Sequence, residues 1–562
     1  MGISSAGIGS GLDVNAIVTS LMGVEKQPLT SINKQKTDYQ AQVSAYGTLK
    51  SSLSTFQTSV SALATASKFN AQTVTSANST VFTATANGSA TLGDYAVTVT
   101  QLAKPQKLAS AGFTNISDVV GTGTLTISFG DHVPASVIPL VSESFTPNTA
   151  KSDVTITIDS TNNTLAGVRD AINASNSSVS ATIVNNGTSN QLVITSKDTG
   201  EVNGLKISVT DGDFNDTDTS GLSQLAYDPD PLGTGIKNMT LVQTEQDALL
   251  NVDGINVVKA SNTISDVVSG VTLNLLATSV SAVNLGVTSN TDQVKASVTA
   301  FVDAYNKLDS TMRSLTKYDS TGKNSGVLLG DATARSVISQ IKAVMTKTIS
   351  HGGTITSLSQ IGVGFQRDGQ LALDSTKLTS AMTSNFGDIA ALFTKSGRST
   401  DPQITYSGST SKTQAGTYSV EVTTLGSELI TAVGKINGVA ATGAGSNLIG
   451  ATDDASEGLN ISVAGGAVGV RAPINFTIGY ASQLDTIITN LLSDTGIVAS
   501  RTDGIATSVT RLDKQADSLN VRLTAIEARY RAQFTRLDTL LSSMSKTSSF
   551  LTQQLAAINA NN

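Results

Sequence analysis

Histidine and cysteine, the side chains that most often build metal sites and nucleophilic centres, are scarce in this chain of 562 residues. Only two histidines are present, His132 and His351, and there is no cysteine. His351 lies in a Ser-His-Gly-Gly turn and His132 follows an aspartate near a glycine, so we expect two solvated loop histidines rather than a Ser-His-Asp triad. These counts also exclude a His-rich or Cys-ligated metal site. The sequence therefore predicts no catalytic residue, no metal and no cofactor.

One acidic string has the spacing of an oxygen-ligand calcium loop. It runs from Asp211 to Asp218 and places Asp211, Asp213 and Asn215 at the first, third and fifth positions of such a loop. Asp216 occupies the position that needs glycine, and Leu222 stands where the bidentate glutamate belongs. We therefore interpret the string as a surface turn whose side chains bond the following backbone. The glycines at 7, 9 and 11 match a phosphate loop only in number, since no Lys-Ser/Thr pair follows them.

Apolar residues recur every seven positions near both ends of the chain. Such a period keeps one stripe of a helix facing a partner helix. The two N-terminal seam positions are filled by Ile32, Tyr39, Tyr46, Leu53 and Val60, and by Gln35, Gln42, Leu49, Phe56 and Leu63. The C-terminal repeat runs through Ile505, Val509, Leu512, Ala516, Leu519, Leu523, Ile526, Tyr530, Gln533, Leu537, Leu540 and Met544. Helices at both ends suggest an assembly device rather than an enzyme with a buried pocket.

The heptads leave the partner of each helix open. An intramolecular helical hairpin and a coiled coil between chains predict the same seam. Gln35, Gln42 and Gln533 at seam positions weaken an isolated coiled coil and often fix register or partner number. This favours helices that are marginal alone and become ordered when neighbouring subunits assemble.

Composition narrows the class of partner. Charged residues make up 14% of the chain and the net charge is −7, which argues against nucleic acid, because phosphate binding needs clustered Lys and Arg. No apolar run reaches the ~20 residues of a spanning helix. Residues 1–13 contain no Lys or Arg and no long apolar core, so we expect no Sec-type signal. The absence of cysteine fits a chain that is exported unfolded by another route.

Between the terminal helices, two regions switch to alternating apolar and polar residues, which predicts antiparallel strands. The predicted fold is α+β and multidomain, with a helical and coiled-coil stem formed by both chain termini and a central helical segment, and with inserted antiparallel β-rich domains. A short helix is expected at 164–174, and further helices are expected at 332–348 and 375–394. The predicted domains are 1–70 (N-terminal flexible/coiled-coil and stem helix), 71–109 with 244–287 (inner β domain), 110–243 (outer β domain), 288–396 (helical stem or leg), 397–482 (additional β-rich insert) and 483–562 (C-terminal stem helix and coiled coil).

An internal repeat links the two β-rich regions. The pattern Gly-x-Tyr-x-Val-x-Val-Thr-x-Leu occurs at 93–102 and again, without a gap, at 416–425. A second match places Asp-Gly at 253–254 and Asn-Gly at 437–438 between apolar residues, the strongest short hairpin signal. Repeated small β-modules between helices imply a modular exterior on a helical stem.

The N-terminal string from Gly7 to Leu29 closely resembles the start of bacterial flagellar filament cap proteins, also called flagellar hook-associated protein 2. Segments 93–108 and 294–396 and the C-terminal heptads look like that family's first strand pair, central helical region and terminal coiled coil, so the resemblance covers about two thirds of the chain. Residues 397–482 look like an extra insert that not every member carries. The family motif residues are Gly9, Gly11, Leu12, Asp13, Leu21 and Pro28.

The resemblance implies a structural protein, not an enzyme, that leaves the cell and sits at the flagellar filament tip. There it would form a ring-shaped homo-oligomer that retains flagellin and promotes its insertion. The implied partners are flagellin, further copies of the chain, a flagellar export chaperone with the type III export machinery, and hook–filament junction proteins. The helices expected to contact flagellin or other copies carry Ile32, Tyr39, Tyr46, Leu53, Val60, Leu512, Leu519, Leu523, Ile526, Tyr530 and Leu537.

Three other classes remain as alternatives. Exposed Thr/Ser/Asn-rich β-modules would suit an adhesin that binds a host surface, and this role is compatible with a position at the tip. A hook–filament junction protein or flagellin itself is disfavoured by the Gly-Ser-Gly-Leu-Asp start and by the order helix–β–helix–β–helix. An enzyme is disfavoured by the two isolated histidines.

Overall fold

The computed structural model describes residues 13–137, 140–141, 143–175, 178–321 and 324–560. The chain divides into two compact units. The first comprises Met1–Phe69 with Thr291–Asn562, and the second comprises Asn70–Asn290. Each unit has its own hydrophobic cores.

Eight α-helices occur among the described residues, and their starts follow local capping rules. The carboxylate of Asp13 accepts a hydrogen bond from the Ala16 amide at 2.9 Å and caps α1. Pro28 lies in the first turn of α2, where its missing N–H group has no intrahelical partner to lose. The helices are α1 (Val14–Glu25), α2 (Gln27–Ala64), α3 (Leu165–Ala174), α4 (Thr291–Thr316), α5 (Ala332–Met345), α6 (Ser375–Phe393), α7 (Tyr480–Leu492) and α8 (Ile497–Ala560).

In the first unit, helices from both chain ends share one apolar core with the central helices. Phe56 of α2 lies 5.7 Å from Phe301 and 6.0 Å from Tyr305 of α4, measured between ring centroids. The predicted stem of both termini and a central helical segment is therefore confirmed. α6 has one feature that the sequence pattern did not predict, a kink at Asn385 with non-helical backbone angles.

One carboxylate joins three elements of this core. Asp331 caps α5, accepts a hydrogen bond from the Tyr46 hydroxyl at 2.6 Å and pairs with Arg501 at 3.1 Å. Burial acts to raise the pKa of Asp331, but the hydrogen bonds from Tyr46 and the α5 backbone and the charge of Arg501 outweigh it and hold this pKa below its usual range. Burial and the bond to Asp331 raise the pKa of Tyr46 to about 12.

The second unit is built from antiparallel strands. Its strands are β1 (Gln72–Ser76), β2 (Phe82–Ala86), β3 (Gly93–Gln101), β4 (Lys107–Ala109), β5 (Gly123–Val133), β6 (Ser136–Val137), β7 (Leu140–Val141), β8 (Ser144–Pro147), β9 (Val154–Ile158), β10 (Val179–Asn185), β11 (Asn190–Ser196), β12 (Gly204–Asp211), β13 (Thr240–Gln243), β14 (Ala248–Val252), β15 (Ile255–Lys259), β16 (Thr263–Ile264), β17 (Val271–Leu275) and β18 (Val283–Ser289).

These strands form two modules around separate cores. The inner module pairs a five-stranded sheet, β1-β18-β3-β14-β15, with a three-stranded sheet, β16-β17-β2. The outer module contains the sheets β10-β11-β4-β13 and β12-β5-β8, with β9 on β5 and α3 packed on its core. β4 pairs with β11 and β13, so 107–109 lie in the outer module, whereas the sequence division assigned them to the inner domain. The six-part division as a whole stays a prediction.

The first unit also contains strands, most of them in one module. They are β19 (Val363–Phe365), β20 (Leu371–Leu373), β21 (Lys395–Ser399), β22 (Ile404–Gly408), β23 (Gly416–Thr424), β24 (Val433–Ile436), β25 (Val439–Ala440), β26 (Thr442–Ala444), β27 (Asn447–Ile449), β28 (Asn460–Val463) and β29 (Gly469–Ile478). The inserted module consists of β21–β29, in the sheets β21-β29-β23-β24-β25 and β22-β28-β27-β26.

The sequence repeat corresponds to equivalent strands in the inner and inserted modules. β3 and β23 are each the central strand of a five-stranded sheet, and the following hairpins, β14–β15 and β24–β25, occupy the same edge. Both hairpins turn on residues with positive φ, 48° and 88° at 253–254 and 57° and 79° at 437–438. This geometry matches the predicted Asp-Gly and Asn-Gly turns.

We expect Phe56→Ala to destabilise the helical core by about 3–5 kcal/mol, because it removes a fully buried ring and leaves a cavity. Native-state hydrogen exchange of α2 and α4 amides measures this loss. Phe550→Ala, at a ring 58% exposed, is the matched control and should change the free energy of opening by no more than about 0.5 kcal/mol. Equal destabilisation by both variants would contradict the placement of Phe56 in the buried helical core.

Candidate assembly surface on the terminal helices

The apolar stripe of α8 begins inside the helical core. Ile505 is buried in that core, and Leu512, two turns beyond it, is also buried. The next residue, Asp513, pairs with Lys36 of α2 at 2.5 Å. The first part of the C-terminal seam is therefore covered by α2 of the same chain.

The next part of the stripe is covered by α1. Val14, Val18 and Met22, spaced at intervals of four, pack with Leu523 in a separate small core. Around that core lie the partly buried side chains Leu29, Leu519, Ile526, Tyr530 and Phe534. Two hydrogen bonds reinforce the contact, from the Tyr530 hydroxyl to Glu25 at 3.1 Å and from Arg531 to Asn15 at 2.9 Å. This part of the seam is an intramolecular helical hairpin.

Beyond Phe534 the stripe continues but is exposed. Leu540 is 58% exposed and Met544 is 61% exposed, although α8 remains helical to Ala560. The spacing of three, four, seven and four residues along this stretch is that of a coiled-coil seam. We call these residues the bare stripe: Leu537, Leu540, Met544, Leu551 and Leu555.

The N-terminal seam lies mostly inside the chain's own core. Tyr46, Leu53 and Val60 are buried, while Ile32 and Tyr39 are half-buried. The second seam position is likewise buried at Leu49, Phe56 and Leu63. In this folded state, these buried residues pack the stem and offer no contact surface. That the terminal helices contact flagellin or other copies stays a prediction.

Both histidines are buried, so the expectation of solvated loop histidines was wrong. His132 lies in β5, where Glu143 approaches its ring at 2.9 Å. His351 places a ring nitrogen 2.6 Å from the Ile355 carbonyl oxygen. These partners are set by tertiary contacts that a local sequence pattern does not reveal.

Residues 212–218 of the acidic string form the predicted surface turn, whereas Asp211 ends β12 and is buried. Asp211 accepts a hydrogen bond from the Ser223 amide at 2.7 Å, and Asp213 accepts one from the Asn215 amide at 2.9 Å. In the described ranges, no group of three His, Cys, Asp or Glu residues is placed to hold a metal ion. A membrane-spanning helix is likewise not found in the part of the chain that the structure describes.

Comparison with known proteins assigns the family. A sequence model described as "Flagellar hook-associated protein 2 N-terminus" matches residues 10–106, and one described as "Flagellar hook-associated protein 2 C-terminus" matches residues 245–546. The chain belongs to the flagellar hook-associated protein 2 family.

Full-length relatives agree with this family assignment. Flagellar hook-associated protein 2 of Escherichia coli strain K12 is 33% identical over 564 residues, covering 98% of each chain. The protein of that name from Salmonella typhimurium strain LT2 is 29% identical over 566 residues, covering 99% of each. A crystal structure of the D1-D2-D3 domains of the flagellar cap protein FliD from Escherichia coli matches with a TM-score of 0.55 and 29% identity, covering 82% of this chain and 99% of that one.

The family motif has a structural role where it is described. Asp13 caps α1, Pro28 opens α2, and Leu21 lies partly exposed on α1. Gly9, Gly11 and Leu12 lie outside the described residues. The sequence pattern did not identify α1 as the helix that covers α8, although Val14, Val18 and Met22 have helical spacing. The predicted seam ended at Met544, although the same spacing reaches Leu551 and Leu555.

We expect Leu523→Asp to release α1 from α8, because it places a charge in a small apolar core. Hydrogen exchange of the amides of residues 14–25 should then approach that of an unfolded segment. Val521→Asp, two residues away and 74% exposed, is the control and should leave α1 protected. Unchanged protection in Leu523→Asp would show that another contact holds α1.

Proposed function

We propose that this protein caps the distal tip of the bacterial flagellar filament, where it retains exported flagellin and promotes its insertion. Membership of the flagellar hook-associated protein 2 family supports this function, as does the solved relative named a flagellar cap protein. The bare stripe carries the proposal, because it is the exposed end of a helical seam whose remaining length the chain covers itself. The protein acts outside the cell, at the filament tip.

The bare stripe is the working surface in this proposal. An apolar seam on a single helix loses its exposure to water when a second amphipathic helix packs on it. A helix of flagellin is the occupant that fits the cap function, and α8 of a neighbouring copy is the alternative. Because the stripe is short, the contact stays weak enough to release, which insertion of one subunit after another requires.

The β-modules supply the lasting contacts between copies in this proposal. Residues 71–287 and 397–482 would form a plate in a ring-shaped homo-oligomer, while 288–396 and the chain ends form the legs. The remaining partners are a flagellar export chaperone, the type III export machinery and hook–filament junction proteins. The lack of cysteine suits export, since no disulfide forms before passage.

The proposed role is structural and does not involve catalysis. The relatives are named as hook-associated and cap proteins. These names give no support to the alternative that the protein is an adhesin.

Deletion of the gene tests the function directly. We expect cells with hooks but no filaments, no motility, and monomeric flagellin in the culture medium. Normal filaments without released flagellin would refute the proposal. Complementation with the unaltered gene is the control and should restore swimming.

The bare stripe is tested by returning the double variant Leu540→Asp with Met544→Asp to the deletion strain. Two charges on the seam should abolish filament growth while leaving secretion of the variant intact, because both side chains are exposed in the folded chain. Ser543→Asp, at an exposed position of the same helix, is the matched control and should support swimming. A swimming double variant would show that the bare stripe is not the working surface.

A further inference from the structure

Two chain crossings connect the inner module to the outer module. The first runs from β3 to β4 and the second from β13 to β14, and an isolated antiparallel bridge between Lys104 and Gln246 joins them. Each crossing carries one buried polar side chain, Gln106 in the first and Glu245 in the second. The two crossings are the covalent links between the modules, and beside them the Thr199 hydroxyl donates a hydrogen bond to the Ala260 carbonyl at 2.6 Å.

Glu245 is buried without a close hydrogen-bond partner, and burial outweighs the hydrogen bonding from its own backbone and from the Gln106 side chain, which acts to lower its pKa. Its side chain is 2% exposed, and neither carboxylate oxygen has a close partner among the described residues. The carboxylate packs so closely on β12 that a Cβ atom at Gly204 would lie 2.6 Å from it. Burial raises the pKa of Glu245 above its usual range. A charged carboxylate in such a place is destabilising unless it is neutralised or paired.

His132 lies between two carboxylates. Its Nε2 atom is 2.9 Å from Glu143, and its Nδ1 atom, which has no hydrogen-bond partner among the described residues, is 3.8 Å from Glu245. Lys237 also pairs with Glu143. The side chain of His132 is buried, so water does not screen these charges as it would at a surface.

Other charged and titratable groups surround the pair. Asp131 of β5 faces Glu245, and Tyr227 faces both Glu143 and Glu245. Burial, together with these two carboxylates, raises the pKa of Tyr227 to about 12. Glu201, next to Asp247 and Asp131, also has a pKa raised by burial and by those neighbours.

We propose that His132 and Glu245 form a proton-binding latch that holds the outer module on the two crossings. With one proton shared between them, either Nδ1–H of His132 faces the carboxylate or the protonated carboxyl faces the imidazole lone pair, and the buried charge has a partner. Without that proton the imidazole keeps one N–H; when Nε2 donates it to Glu143, the Nδ1 lone pair faces the charged Glu245 carboxylate. The latch therefore closes when the proton is bound and loosens when it leaves.

The direction of the pH dependence follows from the two glutamates. Glu245, with its raised pKa, adds stability that is full below its ordinary pKa and is lost as the pH rises through the raised value. Glu143 has a pKa lowered by its hydrogen bonds to Lys237 and His132, so its contribution is present above its ordinary pKa and is lost as the pH falls through the lowered value. The latch is thus tightest near the ordinary pKa of glutamate and opens as the pH rises through the raised pKa of Glu245.

Hydrogen exchange of the full-length chain between pH 5 and 9, corrected for intrinsic rates, tests the latch. We expect protection in segments 130–133, 204–207 and 243–248 to fall by up to about tenfold per pH unit across the opening, the limit for one proton. In Glu245→Gln, which removes the charge and keeps the shape, protection in these segments should not change with pH. A pH-independent wild type, or a variant that keeps the wild-type dependence, would overturn the proposal.

Two controls assign the effect to this pair. Glu201→Gln alters the other carboxyl with a raised pKa near the junction and should preserve the pH dependence. If it abolishes the dependence instead, the proton is held by Glu201 and the latch is refuted. Glu421→Gln, in an exposed ion pair of the inserted module, should change nothing at the junction.

Discussion

The stem depends on burying the apolar stripe of α2 against the central helices, and the first part of the α8 stripe, from the opposite end of the chain, against α2. Each fully buried large apolar side chain in such a core contributes roughly 1.5–3 kcal/mol, so the many core positions of α2 dominate its stability. A few polar contacts fix how these helices are oriented. The main one is the Asp331 carboxylate, which accepts a hydrogen bond from Tyr46, pairs with Arg501 and caps α5. Without the contacts of Asp331, the position of α8 relative to α2 and α5 would be less well defined.

One continuous heptad pattern thus serves two purposes along α8. As far as Phe534 it holds the chain together, first against α2 and then against α1. From Leu537 onward the apolar side chains of the pattern are exposed, and they suit association with another helix. Stability and assembly are separated by position along a single helix, so a substitution can disturb one and leave the other intact.

Local patterns predicted the elements well, because periodicity and capping are local. Neighbouring residues predicted α6 at 375–394, α3 at 164–174 and the two Gly-containing hairpins. What covers each stripe did not follow, since a hairpin and an intermolecular coiled coil need the same heptads. The burial of His132 also escaped prediction, because Glu245 reaches it from a distant strand crossing.

The contacts of Asp331 also affect the order in which parts of the chain can fold. Its partners Tyr46 and Arg501 lie near opposite ends of the sequence, so the stem core needs almost the whole chain. The inner and outer modules need only residues 70–290. When the chain emerges N-terminus first, from a ribosome or a narrow channel, residues 70–290 can fold before α8 has emerged to pack on α2. The inner and outer modules can therefore fold before the helical stem is complete.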